Sequence, residues 1–310
     1  MPDQAAQLRK LVRVAAQADP SLAPGGPIVA LTGGRGEMGV TTVTCQLARE
    51  LARLGKQVVV IDANLIAPAV AHHFGADPRP DRTIDALLRG SRRASEILLD
   101  VEENIRLLPG VPLGELAPPL DRTAVDHFAS ELLALSQQSD AILIDAGSGM
   151  NPWVDRLWQL ARQVLLVATP ESEAFLDAYA AVKLSQHHRH SEKVRLLLNR
   201  TVDDWELGPL ATRFEDTCTK FLRLTPKSAV ALPEFLRSRK PQPPVNDRPE
   251  RTEQEHAPAL PDEPFRRATR LLAADLAADF RVAALRLVRP KQQAASSSLF
   301  ADGKGLSQRR

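Results

Sequence analysis

The densest cluster of chemically capable residues is Gly33-Gly34-Arg35-Gly36-Glu37-Met38-Gly39-Val40-Thr41-Thr42, which follows the apolar run Ile28-Val29-Ala30-Leu31 and opens a helical pattern. A strand, a glycine-rich turn and a helix in succession aim backbone N–H groups and the positive end of the helix dipole at one spot, the geometry that holds a phosphate. The general spacing of such a loop is Gly, four residues, Gly, Lys, Ser/Thr. Gly34, Gly39 and Thr41 satisfy it, but Val40 occupies the lysine slot. Two carboxylates belong with the loop by position. Asp62 ends the apolar run Val58-Val59-Val60-Ile61, and Asp145 ends Ala141-Ile142-Leu143-Ile144. The carboxyl ends of strands are where α/β sheets bind ligands.

The pattern around these groups predicts the elements that position them. A helix is expected over about Thr41–Leu54, with Gly55 as its C-cap. Helical stretches follow at Thr83–Leu88, Ala94–Leu99 and Thr123–Ser136, and further strands at Ile105–Leu108, Val164–Ala168 and Val194–Leu198. Continuous apolar strands alternating with helices predict an α/β fold: a doubly wound, mostly parallel sheet with helices on both faces. Residues 1–20 carry a short amphipathic helix with Asp3 as N-cap and Leu8, Leu11, Val12 and Ala15 on one face. Residues 21–27 read as a linker, 28–240 as the nucleotide-type domain, and 241–264 as a Pro-rich linker. Residues 265–289 form a C-terminal amphipathic helix with Phe265, Leu272, Leu276, Phe280, Ala283 and Leu287 on one face, stopped by Pro290. Residues 290–310 read as a disordered tail.

Composition excludes several classes. A net charge of +2 over 310 residues gives no strong global attraction to nucleic acid, so no such partner is expected. Cys45 and Cys218 lie far apart, match no metal spacing and read as reduced buried thiols of a cytoplasmic protein. Met1-Pro2-Asp3-Gln4 does not begin a signal peptide. No run reaches the roughly 20 apolar residues of a membrane span. The expectation is a cytoplasmic protein, at most peripheral on the inner face of the cell membrane.

Residues 28–240 resemble the MinD/ParA family, whose variant loop reads G-K-G-G-x-G-K-T-T. The likeness runs through Thr41-Thr42 and Leu47-Ala48-Arg49-Glu50-Leu51-Ala52, then from Gly55-Lys56-Gln57 to Asp62-Ala63-Asn64. It resumes at Ile142-Leu143-Ile144-Asp145-Ala146-Gly147-Ser148-Gly149, at Val167-Ala168-Thr169-Pro170-Glu171, and at Leu198-Asn199-Arg200. Within the family it is most similar to the FlhG/YlxH/FleN regulators of flagellar placement and number. Their N-terminal D-Q-A-x-x-L-R motif is matched by Asp3-Gln4-Ala5-Ala6-Gln7-Leu8-Arg9.

This resemblance implies a site. Gly34, Arg35, Gly36, Gly39, Val40, Thr41 and Thr42 would cradle the phosphates of ATP or ADP, and Asn199 and Arg200 would contact the base. Thr41, Asp62 and Asp145 would lie at the Mg²⁺. Asp62, Asn64 and Asp145 fill the catalytic positions. It implies partners too: an FlhF-like GTPase engaged by Asp3, Gln4, Ala5, Leu8 and Arg9, flagellar basal-body proteins, a homodimer, and a membrane surface met by the last helix.

Departures from the family pattern reshape these expectations. Arg35 replaces the signature lysine, Glu37 a glycine, Val40 the Walker lysine, and Asn64 the second aspartate of D-x-D. Phosphoryl transfer is catalysed mainly by positioning and by stabilising charge on the phosphoryl oxygens. Valine supplies neither charge nor donor, and Glu37 brings a negative charge toward a polyanion. Asn64 can hold a water but is a poor base. The expectation is weak nucleotide affinity with little or no hydrolysis. The alternative is an active MinD/ParA-type ATPase that positions cellular cargo through an ATP-dependent dimer and membrane cycle.

Other features have a blander reading beside the sharp one. His187-His188-Arg189-His190 lacks ligand spacing and reads as a solvated helix end. His72-His73 reads as structural, and the basic residues of 79–93 as a solvated face. Trp153 and Trp158 read as core or dimer face. Around the last helix, Arg281, Arg286, Arg289 and Lys291 border the apolar face as in an interfacial helix, but Asp275 and Asp279 interrupt it, and its first half could equally be a core helix. A polysaccharide-export tyrosine kinase would end in a tyrosine cluster, whereas this chain has one tyrosine, Tyr179.

Overall fold

The computed structural model describes residues 25–112, 121–185, 193–202, 207–234 and 263–288, with side chains of the last helix described to position 280. The motif Asp3–Arg9, the histidines at 187–190, most of the Pro-rich linker and the tail lie outside the described residues.

Eight strands form one sheet in the order β3-β4-β2-β5-β1-β6-β7-β8. In chain order they are β1 (Ile28–Gly33), β2 (Val58–Asp62), β3 (Leu99–Glu102), β4 (Ile105–Leu108), β5 (Ala141–Ser148), β6 (Gln163–Ala168), β7 (Val194–Thr201) and β8 (Lys227–Pro233). All neighbours pair in parallel except β3, which runs antiparallel to β4. β1, β2 and β6 are buried along their whole length. Their unbroken apolar runs are what a sheet covered on both faces requires.

The helices are α1 (Val40–Arg53), α2 (Val70–His73), α3 (Ile84–Leu88), α4 (Ala94–Ile97), α5 (Arg122–Ser136), α6 (Pro152–Leu160), α7 (Ser172–Ser185), α8 (Leu207–Thr217) and α9 (Glu263–Val288). α1 packs on β5 and β2, α7 on β6, and α9 on both α1 and β8. Trp158 and Phe128 are fully buried, and Trp153 stacks edge-on against Phe128 while its indole N–H donates to the Ala63 carbonyl. Both tryptophans therefore belong to the core. Cys45 and Cys218 are free and buried, as expected.

The first half of α9 is a core helix. Phe265, Leu272, Ala273 and Leu276 are buried in the same core as β1 and α1. The two acids that interrupt its basic character are docking groups: Asp275 pairs with Arg195 and Asp279 with Lys227. On the other side Arg270 reaches the buried Glu50 of α1, whose carboxylate also accepts from Gln46 and Arg53. A carboxylate removed from water needs such partners.

The structure also differs from expectation. The helix expected to run to Leu99 ends at Ile97, because Leu99 already begins β3 in the hairpin that turns at Asn104, φ 62. β8, not expected from the sequence, carries the short apolar run Ala229-Val230-Ala231-Leu232 but is partly exposed, being an edge strand that pairs with β7 alone among the described residues.

Candidate functional site

The site gathers where β1, β2 and β5 end. Gly39 precedes α1 with φ 84, and a Cβ there would come within 2.4 Å of Asn199 Nδ2, so glycine is required on both conformational and steric grounds. The Gly149 N–H donates to the Gly33 carbonyl at 2.9 Å and ties the start of the loop to the end of β5. Glu37 adopts φ 64 with an exposed side chain. The left-handed conformation thus persists at a position where the glycine suited to it is gone.

Both expected cations are missing from the loop. Val40 is buried and joins the hydrophobic core. Arg35 turns away toward α7: its Nη1 donates to Glu173 at 2.7 Å, Nη2 pairs with Glu171, and Nε lies 3.8 Å from Asp177. The hydrogen bond to Glu173 and the neighbouring carboxylates hold the guanidinium firmly charged. Glu173 and Asp177 were not singled out in the sequence, since nothing in their spacing relates them to position 35.

Asp62 ends β2 as expected, whereas Asp145 lies inside β5, which runs on to Ser148. Asp62 and Asp145 are register partners across β2 and β5, and both are buried. Asp145 Oδ1 accepts the Gly147 N–H at 2.9 Å, while Oδ2 is buried with no hydrogen-bond partner. Burial raises its pKa, and the adjacent Thr41 hydroxyl and the Gly147 amide oppose that rise. The Thr41 hydroxyl is thus near enough to favour the charged form without meeting Oδ2 in hydrogen-bonding geometry. Asp62 accepts from the Val70 N–H at 2.9 Å and the Asn64 N–H at 3.3 Å. Burial first, then the negative charge of Asp145, push its pKa up to about 7.

Asn64 is committed elsewhere. Its Nδ2 donates to the Ala67 carbonyl at 2.8 Å, and its Oδ1 accepts from Ile66 and Ala67 N–H. That side chain braces its own turn and leaves little capacity to hold a water. Asn199 Nδ2 donates to the Met38 carbonyl at 2.8 Å, so it clamps the loop, with Oδ1 buried and unpartnered. Arg200 is exposed with φ 62. Thr42 Oγ1 lies 3.3 Å from His73 Nε2, which brings to the loop a histidine that sequence reasoning had assigned to packing.

A Mg²⁺ fits this donor set. The orphaned Asp145 Oδ2 beside the Thr41 hydroxyl, with Asp62 behind, offers the hard oxygens such an ion prefers. Bound there, it would supply the positive charge that two buried carboxylates and a phosphate lack. Among the described residues no group of three His, Cys, Asp or Glu could hold a metal by itself. The ion would depend on phosphate oxygens as well.

Sheet order, loop and the two buried aspartates together define a P-loop fold of the MinD/ParA kind. The family described as "Cellulose biosynthesis protein BcsQ" matches residues 27–256, and the chain belongs to that family. It is 27% identical over 210 residues to the antiactivator FleN of Pseudomonas aeruginosa, covering 64% of this chain and 73% of that protein. It is 28% identical over 162 residues to the flagellum site-determining protein YlxH of Helicobacter pylori, covering 52% of this chain but only 54% of YlxH, about half its length. Among solved structures, the septum site-determining protein MinD of Pyrococcus horikoshii complexed with Mg-ADP shares the fold with a TM-score of 0.60 at 19% identity, over 81% of this chain and 96% of that one.

Proposed function

We propose that this chain is a nucleotide-binding regulator of flagellar placement and number with weak or no ATP hydrolysis. It acts on an FlhF-like GTPase through its N-terminal helix. One observation carries the loss of turnover: Val40 is buried and Arg35 is held by Glu171, Glu173 and Asp177, so neither side chain brings charge to the loop. ATP or ADP with Mg²⁺ would be held by the backbone of Gly34, Gly36 and Gly39, by Thr41 and Thr42, and by Asp145 through the metal. Similarity to FleN and YlxH, together with the motif Asp3–Arg9, supports the flagellar assignment.

Calorimetric titration of the full chain with ADP and ATP in the presence of Mg²⁺ tests the nucleotide part. Weak binding supports it, and absence of heat at high protein concentration leaves a pure scaffold. The partner part is tested by adding the chain, or a peptide of residues 1–20, to an FlhF-like GTPase. Stimulation that survives deletion of residues 1–20 contradicts it.

A second reading follows from the family match across residues 27–256: a regulator of cellulose synthesis built on the same degenerate loop. Co-purification with a cellulose synthase complex, and not with flagellar proteins, would select it. A homodimer and contact of the end of α9 with lipid belong to either reading; the buried first half of α9 restricts any lipid contact to its later turns.

A further inference from the structure

We infer that His73 belongs to the phosphate site: it takes up a proton when an anionic phosphate enters the loop, and so turns the Thr42 hydroxyl proton toward that phosphate. The inference rests on the nucleotide-binding reading above. It starts from how the ring is held. His73 Nδ1 lies 3.0 Å from the Ala69 carbonyl, which can only accept, so Nδ1 carries the proton. Nε2 is left facing Thr42 Oγ1 at 3.3 Å. With a neutral ring, Nε2 can only accept, and the Thr42 hydroxyl donates to it. A hydroxyl committed in that way shows its lone pairs, not its proton, to anything else approaching the first turn of α1. Such a loop is poorly prepared for an anion.

Protonation at Nε2 reverses the pair. The imidazolium N–H donates to Thr42 Oγ1, and the hydroxyl proton is released to a phosphate oxygen. One proton comes from solvent, no bond to carbon changes, and the loop gains the positive charge that Val40 does not supply.

The surroundings are built to fix the ring in place. From α1, Arg49 donates to the His73 carbonyl at 3.1 Å and stacks over the neighbouring Phe74 at 4.8 Å. Its charge would oppose protonation, but Glu102 of β3 pairs with it at 2.7 Å. From β2, Asp62 accepts the Val70 N–H at the start of α2 and favours a cation. On α2 itself, His72 lies edge-on with ring centroids 6.3 Å apart. The N-terminal dipole of α1 opposes the imidazolium until an anion occupies it. Protonation and anion binding therefore support each other.

The test is calorimetric titration of the full chain with Mg-ADP at pH 6.5 and pH 8, each in two buffers of different ionisation enthalpy. Wild type is expected to bind about fourfold more weakly at pH 8, the change that a rise of about one unit from an ordinary imidazole pKa of roughly 6.5 produces over this interval, and to take up a fraction of a proton on binding. Asp62 titrates in the same range in every variant, so comparison with His73→Gln isolates the ring. His73→Gln, whose amide donates at any pH, should lose most of the pH dependence and the uptake. Thr42→Val keeps the imidazole but breaks the relay, and should lower affinity with a smaller uptake; it serves if His73→Gln does not fold. Equal pH dependence in wild type and variants overturns this inference alone. No binding by wild type at either pH overturns it together with the nucleotide reading.

Discussion

Arg35 Nη1 donates to Glu173 Oε2 at 2.7 Å, and this contact between the loop and α7 decides where the loop's own guanidinium points. Neutralising its holders, as Glu171→Gln with Glu173→Gln, frees the guanidinium without touching the core. These pairs are exposed, so stability should hardly change. Affinity for Mg-ADP should rise by about threefold or more as the charge becomes available to the anion. Calorimetry and a urea titration on the double variant check both halves.

Asp62 and Asp145 make a second pair with a measurable cost. The Asp62 carboxyl is pushed up to about 7 in the fold, against roughly 3.9 when unfolded. Between those values the folded state binds more protons than the unfolded one. Stability should therefore fall as pH rises from about 4 to 7, then level off. Asp145→Asn removes the repelling charge and places an amide where Oδ2 has no partner. The slope should flatten, and stability at pH 7.5 should rise by about 1 kcal/mol, the worth of somewhat less than one pKa unit. Urea midpoints from pH 5 to 8 measure it.

Glu37 holds φ 64 in a conformation that disfavours side chains by roughly 1–2 kcal/mol. Glu37→Gly should relieve part of that strain and stabilise the fold by about 1 kcal/mol. It should also strengthen Mg-ADP binding by removing a carboxylate from the loop. Thermal denaturation and calorimetry read the two effects separately.

Phe265 is fully buried where α9 meets the main core. Phe265→Ala should cost about 3–5 kcal/mol, visible as a lowered urea midpoint. A change much below 1 kcal/mol would mean that α9 docks loosely and is an appendage.

Much of this was legible in the sequence, and the reasons are physical. Val58–Ile61, Ala141–Ile144 and Val164–Ala168 are buried on both faces, so an unbroken apolar run marks them without ambiguity. Asp62 and Asp145 end or interrupt such runs and thereby announce themselves. β8 was harder to read because its run Ala229-Val230-Ala231-Leu232 is short and half made of alanine, as a partly exposed edge strand allows, and its Lys227 is spent on Asp279. Asp275 and Asp279 looked like flaws in an amphipathic pattern because their partners, Arg195 and Lys227, lie far away in sequence. His73 gave no signal either. Its proximity to Thr42 arises from α2 docking on α1 through Arg49, a contact between residues 24 apart. Likewise the substitution at position 35 showed only that a lysine had become an arginine; that it points at α7 required the positions of Glu171, Glu173 and Asp177.

The central claim is a phosphate loop that keeps its backbone shape while its cations have gone. Steady-state hydrolysis of Mg-ATP by the purified full chain, run beside Val40→Lys and Asp145→Ala, tests it most directly. The account predicts no turnover above background for wild type that depends on Asp145, and an increase in Mg-ATP affinity of about tenfold for Val40→Lys, since a charge-assisted hydrogen bond contributes about 1.5 kcal/mol or more. Wild-type turnover that disappears in Asp145→Ala would contradict it.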